Sequence, residues 1–203
     1  MSDAESPPLA IVTGATAGLG LETAKGLASA GYRVVIAGRH PDKGKLACHA
    51  VRQHRPGAAV RFELLDLDSL ESVRQFAARL WESETTLERL INNAGIMAPP
   101  KLERTEDGFE RQFGVNYLGH FLLTSLLLPL LVASSRHGRA PRVVQLSSLA
   151  HRSGRIDFDD LESVGNADQL PGRRTQIDAQ KLVHTLDIHP DTRCSVHTSF
   201  KGR

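Results

Sequence analysis

Residues 9–20 read Leu9-Ala10-Ile11-Val12-Thr13-Gly14-Ala15-Thr16-Ala17-Gly18-Leu19-Gly20. The first five residues are an apolar run that a glycine stops, which predicts a buried strand. Apolar residues then recur at helical spacing from Leu21 to Ala28, and Gly31 ends that helix. The sequence therefore predicts a glycine-rich turn between a buried strand and a helix.

Segments of the same two kinds alternate along most of the chain. Strand-like runs lie at 33–37, 60–64, 87–91 and 142–146, and helix-like runs lie at 42–54, 70–81 and 109–132. Strands that alternate with helices at this spacing form βαβ units, in which helices cover both faces of a parallel sheet. We therefore expect an α/β fold with a doubly wound parallel sheet of the Rossmann type.

The end of the chain has a different composition. Only ten of the 35 residues from Gln169 to Arg203 are apolar, against 40% of the whole chain. Residues 179–186 fit one amphipathic helix, which His189-Pro190 would end, and no strand pattern follows it. The sheet is therefore expected to stop early.

Composition and charge exclude several classes of protein. A length of 203 residues suits one domain. The net charge is only +2, with no run of like charges, so we expect no nucleic-acid partner. The two cysteines, Cys48 and Cys194, do not form a disulfide framework, and neither lies at a metal-ligand spacing. We expect no metal site and a reducing, cytoplasmic location.

We predict neither a signal peptide nor a transmembrane segment. The first eight residues are acidic and contain two prolines, whereas a signal peptide has a basic start followed by an apolar stretch. The longest apolar run, Phe121 to Val132, spans twelve residues, which is too short to cross a bilayer. That run predicts part of a long helix over 109–132. This helix either packs in the core or forms the contact surface of a homo-oligomer.

The glycine-rich turn predicts a phosphate-binding site. Gly14 allows the tight turn, Gly18 lets the backbone approach a pyrophosphate, and Gly20 lets the helix pack closely. The N–H groups at the start of the helix favour a phosphate, and Thr16, Ala17 and Leu19 complete the turn. The spacing is G-x-x-x-G-x-G, which differs from the general dinucleotide-binding pattern, and a turn built for packing alone is the alternative.

The end of the second predicted strand selects between cofactors. A carboxylate there would bind the ribose hydroxyls of NAD and repel a 2′-phosphate. This chain has Arg39 instead, with Lys43 one helical turn further on. Because a guanidinium binds phosphate through two hydrogen bonds, the sequence favours NADP, with a solvated surface arginine as the alternative.

Ordered motifs over about residues 9 to 163 resemble the short-chain dehydrogenase/reductase family. Besides the glycine-rich turn they are Asp66-Leu67, Asn92-Asn93-Ala94-Gly95, the segment 114–121 around Asn116, and the segment 143–148 that ends at Ser148. The amino-acid sequences of these motifs are most similar to those of the retinol-dehydrogenase-like branch, which includes the X-linked dehydrogenase/reductase type. The resemblance implies an NADP-dependent oxidoreductase acting on a lipophilic alcohol or carbonyl compound, and a sheet in the order 3-2-1-4-5.

The resemblance also implies a role for each matching residue. Asp66 and Leu67 would lie at the adenine, and Asn93, Ala94 and Gly95 would line the cofactor cleft. Among the catalytic residues, Ser148 would bind the substrate oxygen and Asn116 would support a water relay. A tyrosine would exchange the substrate proton, and a lysine four residues later would lower the pKa of that tyrosine.

The chain departs from the family at this tyrosine. Its only tyrosines are Tyr32 and Tyr117, and neither matches the family's position. The segment 179–182 resembles an altered tyrosine–lysine helix, so Lys181 is the candidate lysine and Ile177 stands where the tyrosine belongs. The family's later strands are also unrecognisable after residue 168.

Two explanations of the departure are open. Either a frame change or alternative exon near residues 164–176 replaces the family's C-terminus, or the chain is a diverged relative that binds NADP with impaired catalysis. The expected division is a short arm over 1–8, an NADP-binding Rossmann domain over 9–163 and a divergent tail over 164–203.

Overall fold

A computed structural model describes residues 6–97, 99–147, 159–160, 181–188 and 194–198. Its strands are β1 (Leu9–Thr13), β2 (Arg33–Gly38), β3 (Val60–Leu64), β4 (Arg89–Asn92), β5 (Arg142–Ser147), β6 (Lys181–Ile188) and β7 (Cys194–Thr198). Its helices are α1 (Gly18–Ser29), α2 (Pro41–His54), α3 (Leu70–Ser83) and α4 (Gly119–Arg136), with a π-helical segment over Phe113–Leu118.

The strands form one sheet in the order β3-β2-β1-β4-β5-β6-β7. The first five strands are parallel and follow the predicted order 3-2-1-4-5. All five residues of β1 are buried, because helices cover both faces of the sheet centre. The predicted doubly wound α/β fold is confirmed.

Alternate residues of the central strands supply two separate cores. Ile11 and Val35 pack with Phe76 of α3 and Leu127 of α4 on one face. On the opposite face, Val12, Val34 and Ile36 pack with residues of α1 and α2, among them Ala24, Ala28 and Val51. Successive side chains point to opposite faces, and both faces are buried. The central strands therefore read as continuous apolar runs in the sequence.

The tail differs from its prediction. Residues 181–188 form a strand rather than the expected helix, and a second strand follows at Cys194–Thr198. β6 is antiparallel to β5, and β7 is antiparallel to β6. The physical reason is the open edge of β5, whose backbone N–H and C=O groups a neighbouring strand satisfies. The parallel sheet therefore ends at β5, as predicted, but the sheet itself continues.

The long helix also differs in detail from its prediction. The π-helical segment and α4 together span Phe113–Arg136, and Phe109 precedes them beside an isolated antiparallel bridge between Arg104 and Glu110. This helix of 24 residues is long and apolar enough to cross a membrane by length and composition alone, a test that the core helix of a soluble protein also passes, so the absence of a transmembrane segment stays a prediction. Its leucines Leu123, Leu127, Leu130 and Leu131 lie in the core against the sheet and α3.

Candidate cofactor-binding cleft

A cleft of about 340 Å³ opens at the carboxyl ends of the parallel strands β1 to β4. In open α/β sheets this edge is the usual position for ligands. Nine of the residues predicted for the cofactor line it: Gly14, Thr16, Arg39, Lys43, Asp66, Leu67, Asn93, Ala94 and Gly95. The other four, Ala17, Gly18, Leu19 and Gly20, form the N-cap and first residues of α1 beside it.

The three glycines of the turn differ in the space around them. At Gly14 (φ +65°) a Cβ atom would lie 2.9 Å from Ala94 Cα, and at Gly20 it would lie 2.5 Å from Asn93 Nδ2. Gly18 (φ +56°) would meet nothing within 4 Å. Gly14 and Gly20 therefore allow close packing of the turn and α1 against the residues that follow β4, whereas Gly18 leaves open space at the start of α1.

Thr13 connects the turn to the segment that follows β4. Its Oγ1 accepts hydrogen bonds from the backbone N–H groups of Asn93 (3.0 Å) and Ala94 (2.9 Å). The Asn93 side chain donates back to the Thr13 carbonyl at 2.9 Å. Gly14 N–H donates to Ala37 O at 2.8 Å, which joins the turn to β2 as well. Hydrogen bonds thus fix both walls of the cleft.

Three basic residues lie together where β2 ends and α2 begins. Arg39, His40 and Lys43 all line the cleft and are exposed. Neither Arg39 nor Lys43 makes an ion pair with any residue that the structure describes, while the neighbouring Asp42 pairs with Lys45. Sequence analysis missed His40. Its position between Arg39 and Pro41, directly before a helix, could have indicated that it lies beside the cleft.

Arg111 is a second cleft residue that sequence analysis missed. It precedes the π-helical segment and lines the cleft together with Val115, four residues later. Its guanidinium donates to Asp68 Oδ1 at 2.8 Å and to the Glu103 carboxylate. The hydrogen bond to Glu103, followed by the one to Asp68, raises the pKa of Arg111. No spacing in the sequence marks this position, because it depends on ion pairs with Asp68 and Glu103 that form only in the folded chain.

The predicted catalytic residues differ in where the structure places them. Asn116 is buried in the π-helical segment, and its side chain accepts from Ile96 N–H and donates to Ile96 O, each at 2.9 Å. Lys181 begins β6 and pairs in register with Ser147, the last residue of β5, so it lies at the same edge of the sheet as the cleft. Ser148 and Ile177 lie outside the described residues.

A buried histidine joins the cleft to Asn116. His120 Nε2 lies 3.0 Å from Thr13 Oγ1, and His120 Nδ1 lies 3.1 Å from the Asn116 backbone oxygen. Burial lowers the pKa of His120 to about 4, and the hydrogen bond to Asn116 opposes this only in part. The imidazole is therefore neutral near pH 7.

Both tyrosines lie away from the cleft. Tyr32 precedes β2 at the opposite edge of the sheet, where the Arg89 guanidinium lies 5.5 Å from its ring centre. Tyr117 is 40% exposed, and its ring centre lies 5.5 Å from that of Phe113 and 6.1 Å from that of Phe121. Neither is among the residues that line the cleft.

The parallel sheet, the glycine turn and the fixed walls of the cleft together define a nucleotide-binding protein of the Rossmann type. The chain matches the family model for short chain dehydrogenases over residues 8–158. It therefore belongs to the short-chain dehydrogenase/reductase family, a family of oxidoreductases.

Individual relatives are similar over the same part of the chain. Retinol dehydrogenase 13 of Homo sapiens is 50% identical over 151 residues, which are 74% of this chain and 44% of that protein. Polyprenol dehydrogenase of Homo sapiens is 45% identical over 155 residues, which are 76% of this chain and 47% of that protein. The chain thus spans about half the length of the curated relatives that it matches.

Solved structures give the same fold. An uncharacterized protein of Mycobacterium paratuberculosis superimposes with a TM-score of 0.68 at 39% identity, covering 86% of this chain and 59% of that one. A protein of Escherichia coli CFT073, described as a short chain dehydrogenase and solved with NADPH, has a TM-score of 0.62 at 28% identity, covering 77% of this chain and 65% of that one.

Proposed function

We propose that this chain binds NADP in the cleft and descends from enzymes that interconvert an alcohol and a carbonyl group on a lipophilic substrate. The observation that carries the cofactor assignment is the group of exposed cations, Arg39 and Lys43, at the end of β2. A 2′-phosphate on the adenosine ribose would satisfy these cations, and His40 adds a third donor beside them. The Escherichia coli relative with NADPH supports the same assignment.

The residues present fit such a cofactor. Gly18 leaves open space at the helix start for the pyrophosphate, and Asp66 and Leu67 lie on the β3 side for the adenine. When bound, the nicotinamide of the cofactor would supply or accept a hydride. The chain's own contribution would be Ser148 holding the substrate oxygen, Asn116 and Lys181 positioning the proton path, and the cleft walls orienting the cofactor.

The lipophilic substrate is proposed from the relatives. Retinol dehydrogenase and polyprenol dehydrogenase are named for long apolar alcohols, and they match this chain at 45–50% identity. A second candidate function is NADP binding with impaired catalysis. The observation that favours it is the placement of Tyr32 and Tyr117, neither of which lines the cleft.

The cofactor assignment is tested by fluorescence titration of NADPH and NADH. We expect NADPH to bind more tightly than NADH by about tenfold to a hundredfold, since a hydrogen bond to a charged group contributes roughly 1.5–3 kcal/mol. Arg39→Asp should remove this preference. Arg74→Asp, at an exposed position on α3, is the matched control and should leave it unchanged. Equal affinities for the two cofactors in the wild-type chain would exclude NADP specificity.

We further propose that the aromatic strip of half-buried Phe113 with exposed Tyr117 and Phe121 joins two copies of the chain. The strip is continuous, and Phe121 is 61% exposed. Phe121→Asp should shift the chain towards a monomer in sedimentation, whereas His49→Asp on α2 should not. An unchanged sedimentation profile would refute pairing through this strip.

The expected division into an arm over 1–8, an NADP-binding domain over 9–163 and a tail over 164–203 stays a proposal, as does a cytoplasmic location. The core position of the leucines in α4 supports the location. Fractionation of cells that express the tagged chain tests it, and recovery in the membrane fraction after a salt wash would contradict it.

A further inference from the structure

His120 is a buried titratable residue that the proposed function leaves unused. It is the second residue of α4 and is only 2% exposed. Its two ring nitrogens face two different parts of the fold, the Thr13 hydroxyl at the end of β1 and the Asn116 carbonyl in the π-helical segment. Both contacts have ordinary hydrogen-bond lengths, so the ring is held at both ends.

The partners fix where the protons lie. The Asn116 carbonyl oxygen can only accept a hydrogen bond, so Nδ1 must carry the ring proton. Thr13 Oγ1 already accepts two backbone N–H groups, from Asn93 and Ala94, which occupy both of its lone pairs. Its own hydrogen is therefore left to donate to Nε2, which must be unprotonated. The network is complete only with a neutral ring in the Nδ1-protonated tautomer.

The imidazole gives the Thr13 hydroxyl a single orientation. The other acceptor within reach of that hydroxyl is Ile91 O at 3.4 Å, a longer contact than the 3.0 Å to His120. With its hydrogen on the His120 side, Thr13 directs both lone pairs at the residues after β4. Two of those residues, Asn93 and Ala94, form the wall of the cleft.

The other end of the ring acts on the same wall. Asn116, whose carbonyl accepts from His120, clamps Ile96 through both atoms of its side-chain amide. Ile96 also lines the cleft. One ring thus bridges the two polar groups that fix residues 93–96, and it belongs to neither the glycine turn nor the segment after β4.

We propose that His120 is a positioning residue for the cofactor, which holds the Thr13 hydroxyl and the Asn116 peptide so that residues 93–96 keep the shape that binds it. The effect of His120 on cofactor affinity rests on the proposed NADP function. The effect of His120 on residues 93–96 does not, because the hydrogen-bond network exists without a ligand.

The first test uses the chain without cofactor. Nitrogen-15 NMR of the histidine side chains should show His120 as the neutral Nδ1-protonated tautomer. Amide hydrogen exchange of Asn93, Ala94 and Ile96 should accelerate about tenfold in His120→Leu, while Val35 and Ile36 in the sheet centre should keep their wild-type rates. The Nε2-protonated tautomer, or equal acceleration at all five amides, would overturn the proposal.

The second test measures NADPH affinity. His120→Leu should weaken binding about tenfold. His120→Gln should lose less than His120→Leu, because its side-chain oxygen can still accept from Thr13. Because the Thr13 contact of His120 is already lost in Thr13→Val and only the Asn116 contact remains, the double variant should lose less affinity than the sum of the two single losses. Additive losses in the double variant, or equal losses in His120→Gln and His120→Leu, would overturn the proposal.

The two tests separate this proposal from the one on which it rests. Should the wild-type chain fail to bind NADPH, the proposed function is wrong, and the exchange and tautomer measurements alone still decide whether His120 positions the wall. His120→Gln guards against a folding defect in the leucine variant, and the wild-type tautomer requires no variant.

Discussion

Alanine substitutions at Gly18 and Gly20 in the turn are expected to differ in their effects on cofactor affinity and on the free energy of unfolding. Gly20→Ala places a methyl group 2.5 Å from Asn93 Nδ2 and 2.7 Å from Gly14 O, so we expect overpacking to lower the free energy of unfolding by about 1–3 kcal/mol. Gly18→Ala meets no atom within 4 Å and carries only the strain of its positive φ, about 1 kcal/mol. Gly18→Ala should nevertheless weaken NADPH binding strongly, because its methyl group would occupy the proposed phosphate position.

Gly26 supplies the control for both glycine variants. It lies in α1, has no neighbour within 4 Å and has no positive φ. Gly26→Ala should stabilise the chain by about 0.5–1 kcal/mol without changing cofactor affinity. Urea unfolding and NADPH titration of all three variants check these expectations. Equal effects of Gly18→Ala and Gly20→Ala on affinity and stability would contradict the separation.

His120 predicts a pH dependence of stability. A histidine in an unfolded chain has a pKa of about 6.5, while burial lowers that of folded His120 to about 4. Between these values the unfolded state binds more protons, so the free energy of unfolding falls as the pH falls. From pH 7 to pH 5 the loss should be about 2 kcal/mol, because the slope approaches about 1.36 kcal/mol for each pH unit only below about pH 6.5, where the unfolded histidine is mostly protonated.

His120→Gln, which does not titrate, is the comparison. Urea unfolding at pH 7 and pH 5 should show a loss for this variant that is smaller than the wild-type loss by about that same 2 kcal/mol. At pH 7 both proteins carry an uncharged side chain at this position. An identical pH dependence in wild type and variant would show that His120 is not buried as a neutral group.

The residue scale also shows what the sequence could predict of the site. The glycines and Asn93 were readable because their spacing follows strand ends, where backbone geometry demands particular residue types. Arg111 was not readable in this way, since it reaches the cleft from a segment 19 residues beyond the end of β4. Its position depends on ion pairs with Asp68 and Glu103 that only the folded chain brings together.

At the scale of elements, one buried carboxylate ties three of them together. Glu88, just before β4, is 2% exposed and accepts hydrogen bonds from Leu9 N–H of β1, Ser134 of α4 and Arg139 after α4. Glu88→Ala leaves a buried N–H and a partly buried guanidinium without this acceptor. We expect it to lower the free energy of unfolding by about 3 kcal/mol.

The control is an exposed carboxylate of the same type. Glu71 is 64% exposed in its side chain and lies 3.8 Å from Arg74 within α3. Glu71→Ala should change the free energy of unfolding by less than about 0.5 kcal/mol. Urea unfolding in low and high salt checks both, because salt screens the exposed pair more than the buried network. Similar losses in the two variants would contradict a structural role for Glu88.

Helices and strands could be predicted where burial imposes a regular spacing of apolar residues on the sequence, and less well elsewhere. β1, β2 and α3 were readable because both sheet faces and one helix face are buried. For residues 181–188 the spacing of Leu182, Val183 and Leu186 suits a helix, yet the sequence positions of Leu182, Leu186 and Ile188 also fit the period of two of a strand. The open edge of β5 favours the strand, and no local pattern in the tail reveals that edge.

At the scale of the whole molecule, the described residues bring the proposed cofactor-binding residues together, whereas neither tyrosine of the chain lies among them. The carboxyl ends of β1 to β4 bring thirteen predicted residues to one cleft or to the helix start beside it. The two tyrosines lie elsewhere, one at the opposite edge of the sheet and one on the outer face of the long helix. Binding and catalysis are therefore expected to separate in this chain.

We predict that NADPH-dependent reduction of a small ketone or a retinal-like aldehyde proceeds near the background rate. General acid–base catalysis contributes about 10²–10⁴ in rate, and neither tyrosine can supply it from its position. Ile177→Tyr should restore only part of the activity, because the family's later strands are unrecognisable in the tail. The measurement is NADPH oxidation by the purified chain, with and without each substrate, beside a titration that shows the cofactor is bound.

Ser148→Ala is the control for this prediction. If the chain catalyses turnover at a rate normal for its family, and Ser148→Ala abolishes that turnover, then the site is complete and another group supplies the proton. Lys181 would be the first group to test, by Lys181→Met, since β6 brings its backbone to the end of β5 beside Ser147. A lysine that acts as the acid would need its pKa lowered by burial, so activity that depends on Lys181 should fall as the pH rises past that lowered pKa.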